Sequence, residues 1–294
     1  MCHDVWQPLQ SARPERYRPR AIGVDRSGGS GGSGGVPGAG FGGSTDVPYL
    51  FYSRRIGLNR GRVVPIDVGG RLTGKVGGWG IGVLNIQTGD ESVSASPSTN
   101  FTVTRIKRDI LSRSAIGFLY TDRSRSSAGS DSARSVGIDG VFSFFQDLNL
   151  TTFLAKTMNP GVSGRDLSYR TQLDYNADRY GVQVERLSLD ENFKPDVGFL
   201  RRSAFTRNSA YGRFSPRPRS IRSVRKFSWD GTFDYITSPS GRLESRLGQG
   251  GFRVELQNGD NMGVEVASVY EFLEEPFEIS EGIVIPPGGY SYPE

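Results

Sequence analysis

The 294-residue chain has almost none of the side chains on which much enzyme chemistry depends. Its only cysteine is Cys2 and its only histidine is His3. An internal disulfide is therefore excluded, and no Cys/His zinc site, Ser-His-Asp triad or Cys-His pair can form in the rest of the chain. We assign no catalytic residue, no metal ligand and no cofactor from the sequence, and we expect a binding or structural protein ahead of an enzyme.

Long apolar runs are missing too. No stretch approaches the roughly 18 to 20 consecutive apolar residues of a membrane-spanning helix, and the first residues lack the apolar core of a signal peptide. Lysine is scarce, so arginine supplies most of the formal net charge of +5. The basic residues show no clustering on one face, so we expect no nucleic-acid partner.

The first 45 residues carry little structural signal. Met1 to Ser27 is rich in proline and arginine, and Gly28 to Gly43 is nearly pure glycine and serine, a composition typical of a flexible coil. We expect residues 1–45 to be a disordered low-complexity segment and residues 46–294 to form the folded domain. The absence of a leader predicts that the start is misassigned or that the chain is a fragment.

From Arg62 onward, apolar residues alternate with polar ones, and glycine, asparagine, aspartate, serine and proline separate the runs. The clearest run is Leu167 to Asn176, and Tyr180 to Glu185 is its predicted antiparallel partner across a turn at Asn176 to Arg179. A change of face within Arg242 to Gln257 predicts a bulge near Gln249 to Gly251. About a dozen strands of this kind predict an all-β chain.

Alternation leaves two architectures open, a soluble β-sandwich and a membrane β-barrel, because both bury one face of each strand. Many runs reach the 9 to 11 residues of a tilted transmembrane strand, and aromatics recur at strand ends, as in Tyr169, Tyr175 and Trp229. The polar face carries opposite charges that we expect to pair within a strand, Arg170 with Asp174 and Arg222 or Lys226 with Asp230 and Asp234. The predicted lumen residues are Asp139, Arg170, Asp174, Glu185, Lys226 and Asp230.

Five ordered segments strengthen the barrel interpretation: FYSRRIG at 51–57, PIDVGGRLTGKVGGW at 65–79, RIKRDILSRSAIG at 105–117, Gly137 to Asp139, and FKPDVGFLRR at 193–202. They resemble the bacterial family called domain of unknown function 5916. Its members have a family-nine-like carbohydrate-binding domain followed by an outer-membrane β-barrel. The resemblance runs from about Pro48 to the end of the chain.

The resemblance implies an antiparallel up-and-down transmembrane β-barrel in a bacterial outer membrane, here incomplete, with membrane lipid and a saccharide or other small polar solute as partners. It implies no catalytic residues. The chain departs from the family in lacking the carbohydrate-binding domain and in ending on Pro293-Glu294 rather than on an aromatic residue. On this basis Trp79, Ile81 and Val83 are expected to face lipid.

Three smaller hypotheses remain. Asp139, Asp174 and Glu185 are candidates for the two carboxylates of a glycan hydrolase. The oxygen-rich loop Asp190 to Asp196 is compatible with Ca²⁺, although an ordinary solvated turn explains it better. Arg54 and Arg55 are expected at the periplasmic rim, paired with loop carboxylates or holding a lipopolysaccharide phosphate.

Overall fold

The computed structural model describes residues 46–125, 132–280 and 282–293. The predicted disordered segment, including Cys2 and His3, lies outside these residues. Within them the chain is almost entirely β, which confirms the predicted class. The strands are β1 Leu58–Asn59, β2 Arg62–Val63, β3 Ile66–Val76, β4 Trp79–Thr88, β5 Thr99–Ile110, β6 Ser114–Arg125, β7 Ser132–Phe144, β8 Leu148–Met158, β9 Leu167–Asn176, β10 Tyr180–Leu189, β11 Phe205–Phe214, β12 Val224–Thr237, β13 Leu243–Leu256, β14 Asn261–Leu273, β15 Phe277–Ser280, β16 Ile283–Ile285 and β17 Gly288–Pro293.

Thirteen strands form one antiparallel sheet in the order β17-β14-β13-β12-β11-β10-β9-β8-β7-β6-β5-β4-β3. Neighbours in the chain are neighbours in the sheet from β3 to β14, so this part is a simple meander. The predicted hairpin of β9 and β10 is present, with Gly181 opposite Asn176. The hairpins β1-β2 and β15-β16 are separate two-stranded sheets. A sandwich needs two stacked sheets, and among the described residues only one large sheet is present.

The two ends of the strands differ. At one end, which we call the short-turn end, most connections are tight, and at the other, the long-loop end, they are longer. The short-turn end has the connections 77–78, 111–113, 145–147, 177–179, 215–223 and 257–260, and the long-loop end has 89–98, 159–166, 190–204 and 238–242.

The sheet also has two unlike faces, set by the alternation of side chains. On β9, Ser168 and Arg170 are buried, whereas Leu167, Tyr169 and Leu173 are exposed. We call the face that carries Ser168 and Arg170 the packed face, and the face that carries Leu167, Tyr169 and Leu173 the open face. An apolar core occupies the long-loop half of the packed face and consists of Val47, Leu50, Ile56, Phe101, Val103, Leu119, Phe153, Ala155, Leu187, Leu189, Phe193, Val197, Phe205 and Ile236.

Residues 46–57 and the 190–204 connection cover this core. The Tyr49 amide donates to the Phe199 carbonyl at 2.9 Å, and the Phe199 amide donates back to Tyr49 at 2.8 Å. Gly137 and Gly198 permit the close approach: a Cβ on Gly137 would lie 2.5 Å from Leu50 Cδ1, and one on Gly198 would lie 2.0 Å from the Tyr49 carbonyl oxygen. Residues 46–57 therefore pack against the sheet and cover its core, and we call them the lid.

The predicted bulge near Gln249 to Gly251 is wrong. The register between β13 and β14 is continuous from Ser245 to Glu255, and the irregularities of β13 against β12 lie elsewhere. The apparent change of face arises because Leu247 points to the packed face, where it lies opposite Val269 on β14. The other residue behind the prediction, Leu243, lies beside a register irregularity between β12 and β13 at Ile236 and Thr237, not near Gln249 to Gly251.

No helix in the described part of the chain is long and apolar enough to cross a bilayer. The edges of the large sheet are β3 and β17. Side chains on β3 are exposed on both faces: Leu72 at 72% on the open face, and Arg71 and Lys75 on the packed face. Burial is therefore greatest in the middle of the meander and falls toward its edges.

Candidate functional site

All six residues predicted to face a lumen lie on the packed face. The register places Asp139 opposite Phe153, Phe153 opposite Arg170, and Arg170 opposite Leu187. Since Phe153 and Leu187 belong to the apolar core, Asp139 and Arg170 lie at its edge. Three ion pairs lie here, Arg105 with Asp139, Arg170 with Glu185 and Arg207 with Asp234, and we call them the charged belt.

Arg105 and Asp139 form the first pair of the belt. Arg105 on β5 donates through Nη2 to Asp139 Oδ2 at 2.8 Å and through Nη1 to Oδ1, with side-chain exposures of only 9% and 15%. The two strands are not neighbours, because β6 lies between them. Gly117 on β6 makes room: a Cβ there would lie 2.6 Å from both partners.

Arg170 and Glu185 form the most deeply buried pair, with side-chain exposures of 4% and 1%. Arg170 Nε donates to Glu185 Oε2 at 2.8 Å, and Arg170 Nη2 donates to the same oxygen and to Gln172 Oε1. Glu185 Oε1 is buried without a hydrogen-bond partner among the described residues. A buried carboxylate that lacks one partner depends strongly on its single arginine.

Arg207 forms the third pair and ties the lid to the sheet. Its Nε donates to Asp234 Oδ1 at 2.9 Å, and its Nη1 lies 3.6 Å from Asp46 Oδ2. Asp46 belongs to residues 46–57, so the lid is held by charge as well as by its apolar contacts. Sequence reasoning missed Arg105, Arg207 and Asp46, although alternation alone would have placed Arg207 and Asp234 on the polar face.

The charge pairs predicted within single strands are wrong. Arg170 bonds Glu185 on β10 rather than Asp174, and Asp234 bonds Arg207 on β11. Lys226 lies opposite Glu255, and Arg222 lies in the 215–223 connection outside β12. Residues four apart on a strand are about 13 Å apart, whereas cross-strand partners have Cβ atoms about 5 Å apart.

Asp174, Lys226 and Asp230 lie toward the short-turn end of the packed face, beyond the apolar core. Asp174 is half-buried, and its Oδ1 has no hydrogen-bond partner among the described residues. Asp230 lies opposite Arg213, but Arg213 Nη2 donates to Asn176 Oδ1 at 3.0 Å and to the Ala177 carbonyl at 2.7 Å. This half of the face is therefore polar and less covered than the other.

The hydrolase hypothesis requires two carboxylates about 5 to 10 Å apart. Asp174 is displaced from Asp139 by two strands and four residues, which corresponds to roughly 16 Å between the backbones. Asp174 and Glu185 are diagonal neighbours, about 7 to 8 Å apart, but Arg170 holds Glu185 in a buried ion pair. The geometry brings no free pair of these carboxylates together.

The oxygen-rich loop uses its side chains for other contacts. Asp190 Oδ2 accepts from the Leu167 amide at 3.1 Å, Glu191 pairs with Arg165, and Asp196 pairs with Arg123. No cluster of three or more metal-ligating side chains occurs within residues 46–125, 132–280 and 282–293. These contacts fix the 190–204 connection in place over the core.

Arg54 and Arg55 lie in a 3-10 turn at Ser53–Arg55, close to the 190–204 connection. Arg55 Nε donates to the Gly198 carbonyl at 3.0 Å. The expected ion pairs with loop carboxylates do not occur for either arginine in the described part of the chain. Arg55 instead helps to hold the lid against the connection that covers the core.

The open face carries the apolar and aromatic side chains. Trp79 and Ile81 are exposed there, while Gly80 and Gly82 lie on the packed face. Near the short-turn end the rings of Tyr180 and Phe214 are 5.2 Å apart and those of Trp229 and Phe252 are 5.0 Å apart. We call the rings of Tyr180, Phe214, Phe227, Trp229 and Phe252 the aromatic belt.

Toward the long-loop end the open face becomes polar. Tyr169 and Arg186 meet there, with a hydrogen bond of 3.1 Å from Arg186 Nε to the Tyr169 hydroxyl. Arg134 pairs with Asp122 at 3.0 Å. On β9, Tyr169 and Tyr175 are six residues apart, or about 20 Å along the strand. An exposed apolar zone thus lies between aromatic and polar borders.

Neither a protein-family model, nor a curated protein, nor a solved structure matches this chain.

Proposed function

We propose that this chain is the barrel region of a bacterial outer-membrane protein, as its resemblance to the domain of unknown function 5916 family implies. One observation carries the proposal: the open face of the long antiparallel meander exposes apolar side chains between aromatic and polar borders. Exposed examples are Ile138 at 54%, Val184 at 43% and Phe233 at 48%. In water such a surface promotes aggregation, whereas the lipid-facing surface of a membrane barrel is a band of apolar side chains of this kind.

The packed face supports the same proposal. Its charged belt and the polar short-turn half are typical of a barrel interior rather than of a sandwich core. The solute we propose is a saccharide or another small polar molecule, bound by the residues around Asp174 and Asp230. The lid covers the long-loop half of this face, which favours binding over free passage.

The first test is the behaviour of the whole chain in detergent and lipid. We expect it to require detergent, to enter vesicles, and to migrate faster unheated than boiled on a denaturing gel. Recovery as a soluble monomer that migrates identically with and without heating would contradict the proposal.

A pair of substitutions on β10 tests which face meets lipid. Val184→Arg places a charge on the open face, and Gln183→Arg places the same charge one residue away on the packed face. In vesicles we expect Val184→Arg to lower the free energy of unfolding by about 2 to 4 kcal/mol, with a much smaller change for Gln183→Arg. Equal effects would contradict a lipid-facing open face.

Solute binding has its own test. Titration of neutral oligosaccharides into the vesicle-inserted chain, followed by intrinsic fluorescence, should give saturable binding that Asp174→Asn or Asp230→Asn weakens. Lys156→Gln on the open face is the control and should leave binding unchanged. Binding that none of these changes alters would remove the packed face as the solute site.

A further inference from the structure

The connection between β11 and β12, together with the strand ends beside it, carries basic residues without any acidic one. From Arg213 to Lys226 the sequence RFSPRPRSIRSVRK has six basic residues and no acidic one. The expectation that basic residues do not cluster is therefore wrong for this segment. Its scattered spacing hides the run from a search for a continuous basic block.

The structure separates the arginines that stabilise the fold from those that are free for a partner. Arg213 bonds the 176–178 turn, and Arg217 Nη1 lies 2.5 Å from Asp178 Oδ2. Arg219, Arg222 and Arg225 are exposed, and within the described residues they have no ion pair and no side-chain hydrogen bond. We call these three side chains the basic rim.

Along the chain the basic rim lies between two members of the aromatic belt, Phe214 at the end of β11 and Phe227 near the start of β12. Phe214 ends β11 and lies opposite Trp229 on β12, with ring centroids 5.7 Å apart. Arg179, from the neighbouring turn, lies over the Phe214 ring at 6.0 Å. The order from the strand tip toward the middle of the open face is thus arginine, aromatic ring and aliphatic side chain.

This order matches the profile of a bilayer, in which headgroup phosphates, interfacial region and acyl chains follow one another. Aromatic rings prefer the interfacial layer, and arginine binds phosphate oxygens through paired N–H groups. Nucleic acid would also attract arginines, but the rings of the belt pack against one another and face the apolar zone. They offer no free stacking platform for bases.

We propose that the basic rim binds the phosphate-bearing headgroups of anionic membrane lipids and anchors the short-turn end of the sheet at one membrane surface. This inference rests on the proposed function, because it requires the open face to meet lipid. It goes further by naming the lipid chemistry, the residues and the end of the sheet concerned.

The test compares two triple variants of the full chain. Arg219→Gln/Arg222→Gln/Arg225→Gln removes the basic rim, and Arg60→Gln/Arg62→Gln/Arg201→Gln removes three exposed arginines at the long-loop end as a control of equal charge. Co-sedimentation is measured with phosphatidylcholine vesicles, with and without phosphatidylglycerol. Heat-modified migration in detergent checks that both variants fold.

We expect the unsubstituted chain to prefer the anionic vesicles at low salt. Removing the basic rim should weaken that association on the order of 100-fold, since each arginine near an anionic surface contributes a factor of about five. The control should lose much less. Added salt should reduce the difference between the two variants.

The outcomes separate this inference from the proposed function. Insertion into neutral vesicles with no loss for the basic-rim variant on anionic ones would overturn the inference and leave the barrel proposal intact. Failure of the unsubstituted chain to associate with either vesicle would overturn both. Tighter binding of a short single-stranded DNA than of anionic vesicles would also overturn the inference, and competition by inorganic phosphate with unchanged vesicle binding would assign the rim to a free anion instead.

Discussion

The two halves of the packed face use the same strands in different ways. In the long-loop half, Leu187 and Leu189 on β10 are almost completely buried under the lid. In the short-turn half, Gln183 on the same strand and Asp174 on β9 are only half-buried. Strand alternation decides which face a residue takes, whereas the segment that covers the sheet decides how deeply it is buried.

Arg170 and Glu185 lie where the two halves meet, and breaking their pair should have the largest effect. Arg170→Met leaves Glu185 buried without its ion-pair partner, which should lower the free energy of unfolding by about 3 to 5 kcal/mol. Urea titration of the detergent-solubilised chain measures the change.

The double variant Arg170→Met/Glu185→Leu is the matched control. It removes both charges and should recover most of the lost stability, because the desolvation cost of the carboxylate disappears with its partner. If the double variant were no more stable than the single one, the loss in Arg170→Met would not come from the unpaired charge of Glu185, and this explanation would be wrong.

Leu50→Ala tests the contribution of the lid. Leu50 is 1% exposed and contacts the sheet at Gly137, so its truncation should cost about 2 to 5 kcal/mol. Leu72→Ala on β3 makes the same chemical change at a side chain that is 72% exposed. In detergent that change should stay within about 0.5 kcal/mol, and equal losses would contradict the difference in burial between lid and edge.

A smaller effect is expected in the polar half. Asp174→Asn keeps the shape of the side chain and removes a charge whose Oδ1 has no hydrogen-bond partner in the described residues. The free energy of unfolding should change by no more than about 0.5 kcal/mol. A loss of stability comparable to that of Arg170→Met would mean that a charged side chain in the short-turn half contributes as much to stability as the buried ion pair does.

The smallest effect concerns Glu91 in the 89–98 connection. The nearby Ser94 hydroxyl, together with hydrogen bonds from the Ser94 and Val93 amides, holds the pKa of the Glu91 carboxyl below its ordinary value. Because the folded pKa is lowered, the stabilisation is present above the unfolded pKa and is lost as the pH falls through the folded pKa.

Carbon-detected NMR titration of Glu91 should therefore give a midpoint below the ordinary 4.5. Protection of the Ser94 amide from hydrogen exchange should decrease over the same acidic range, and Glu91→Gln should remove that dependence. A midpoint at or above the ordinary value would contradict the role of these two amide hydrogen bonds.

Much of the fold could be predicted from the sequence, because each strand carries its own period of two. β9 begins and ends at the predicted Leu167 and Asn176, and the hairpin to β10 has the predicted partner. The six candidate lumen residues were all placed on one face for the same physical reason. Local alternation needs no knowledge of the rest of the chain.

The charged pairs could not be predicted, since a pair depends on which strands are neighbours and in what register. Arg105 reaches Asp139 across β6 only because position 117 is glycine. The lid was missed because residues 46–57 form almost no strand and have no period of their own. Their burial comes from Leu50 and Val47 meeting the core, which is a tertiary event.

The two edges of the large sheet have a consequence for how such a sheet can become a cylinder. β3 runs from the long-loop end to the short-turn end, and β17, antiparallel to β14, runs in the same direction. A direct seam between them would be the single parallel ladder of an otherwise antiparallel wall. Every pair of neighbouring strands would be antiparallel only if an odd number of further strands lay between β17 and β3. Whether the total number of strands is odd or even therefore decides whether the closing pair has a parallel or an antiparallel hydrogen-bond pattern.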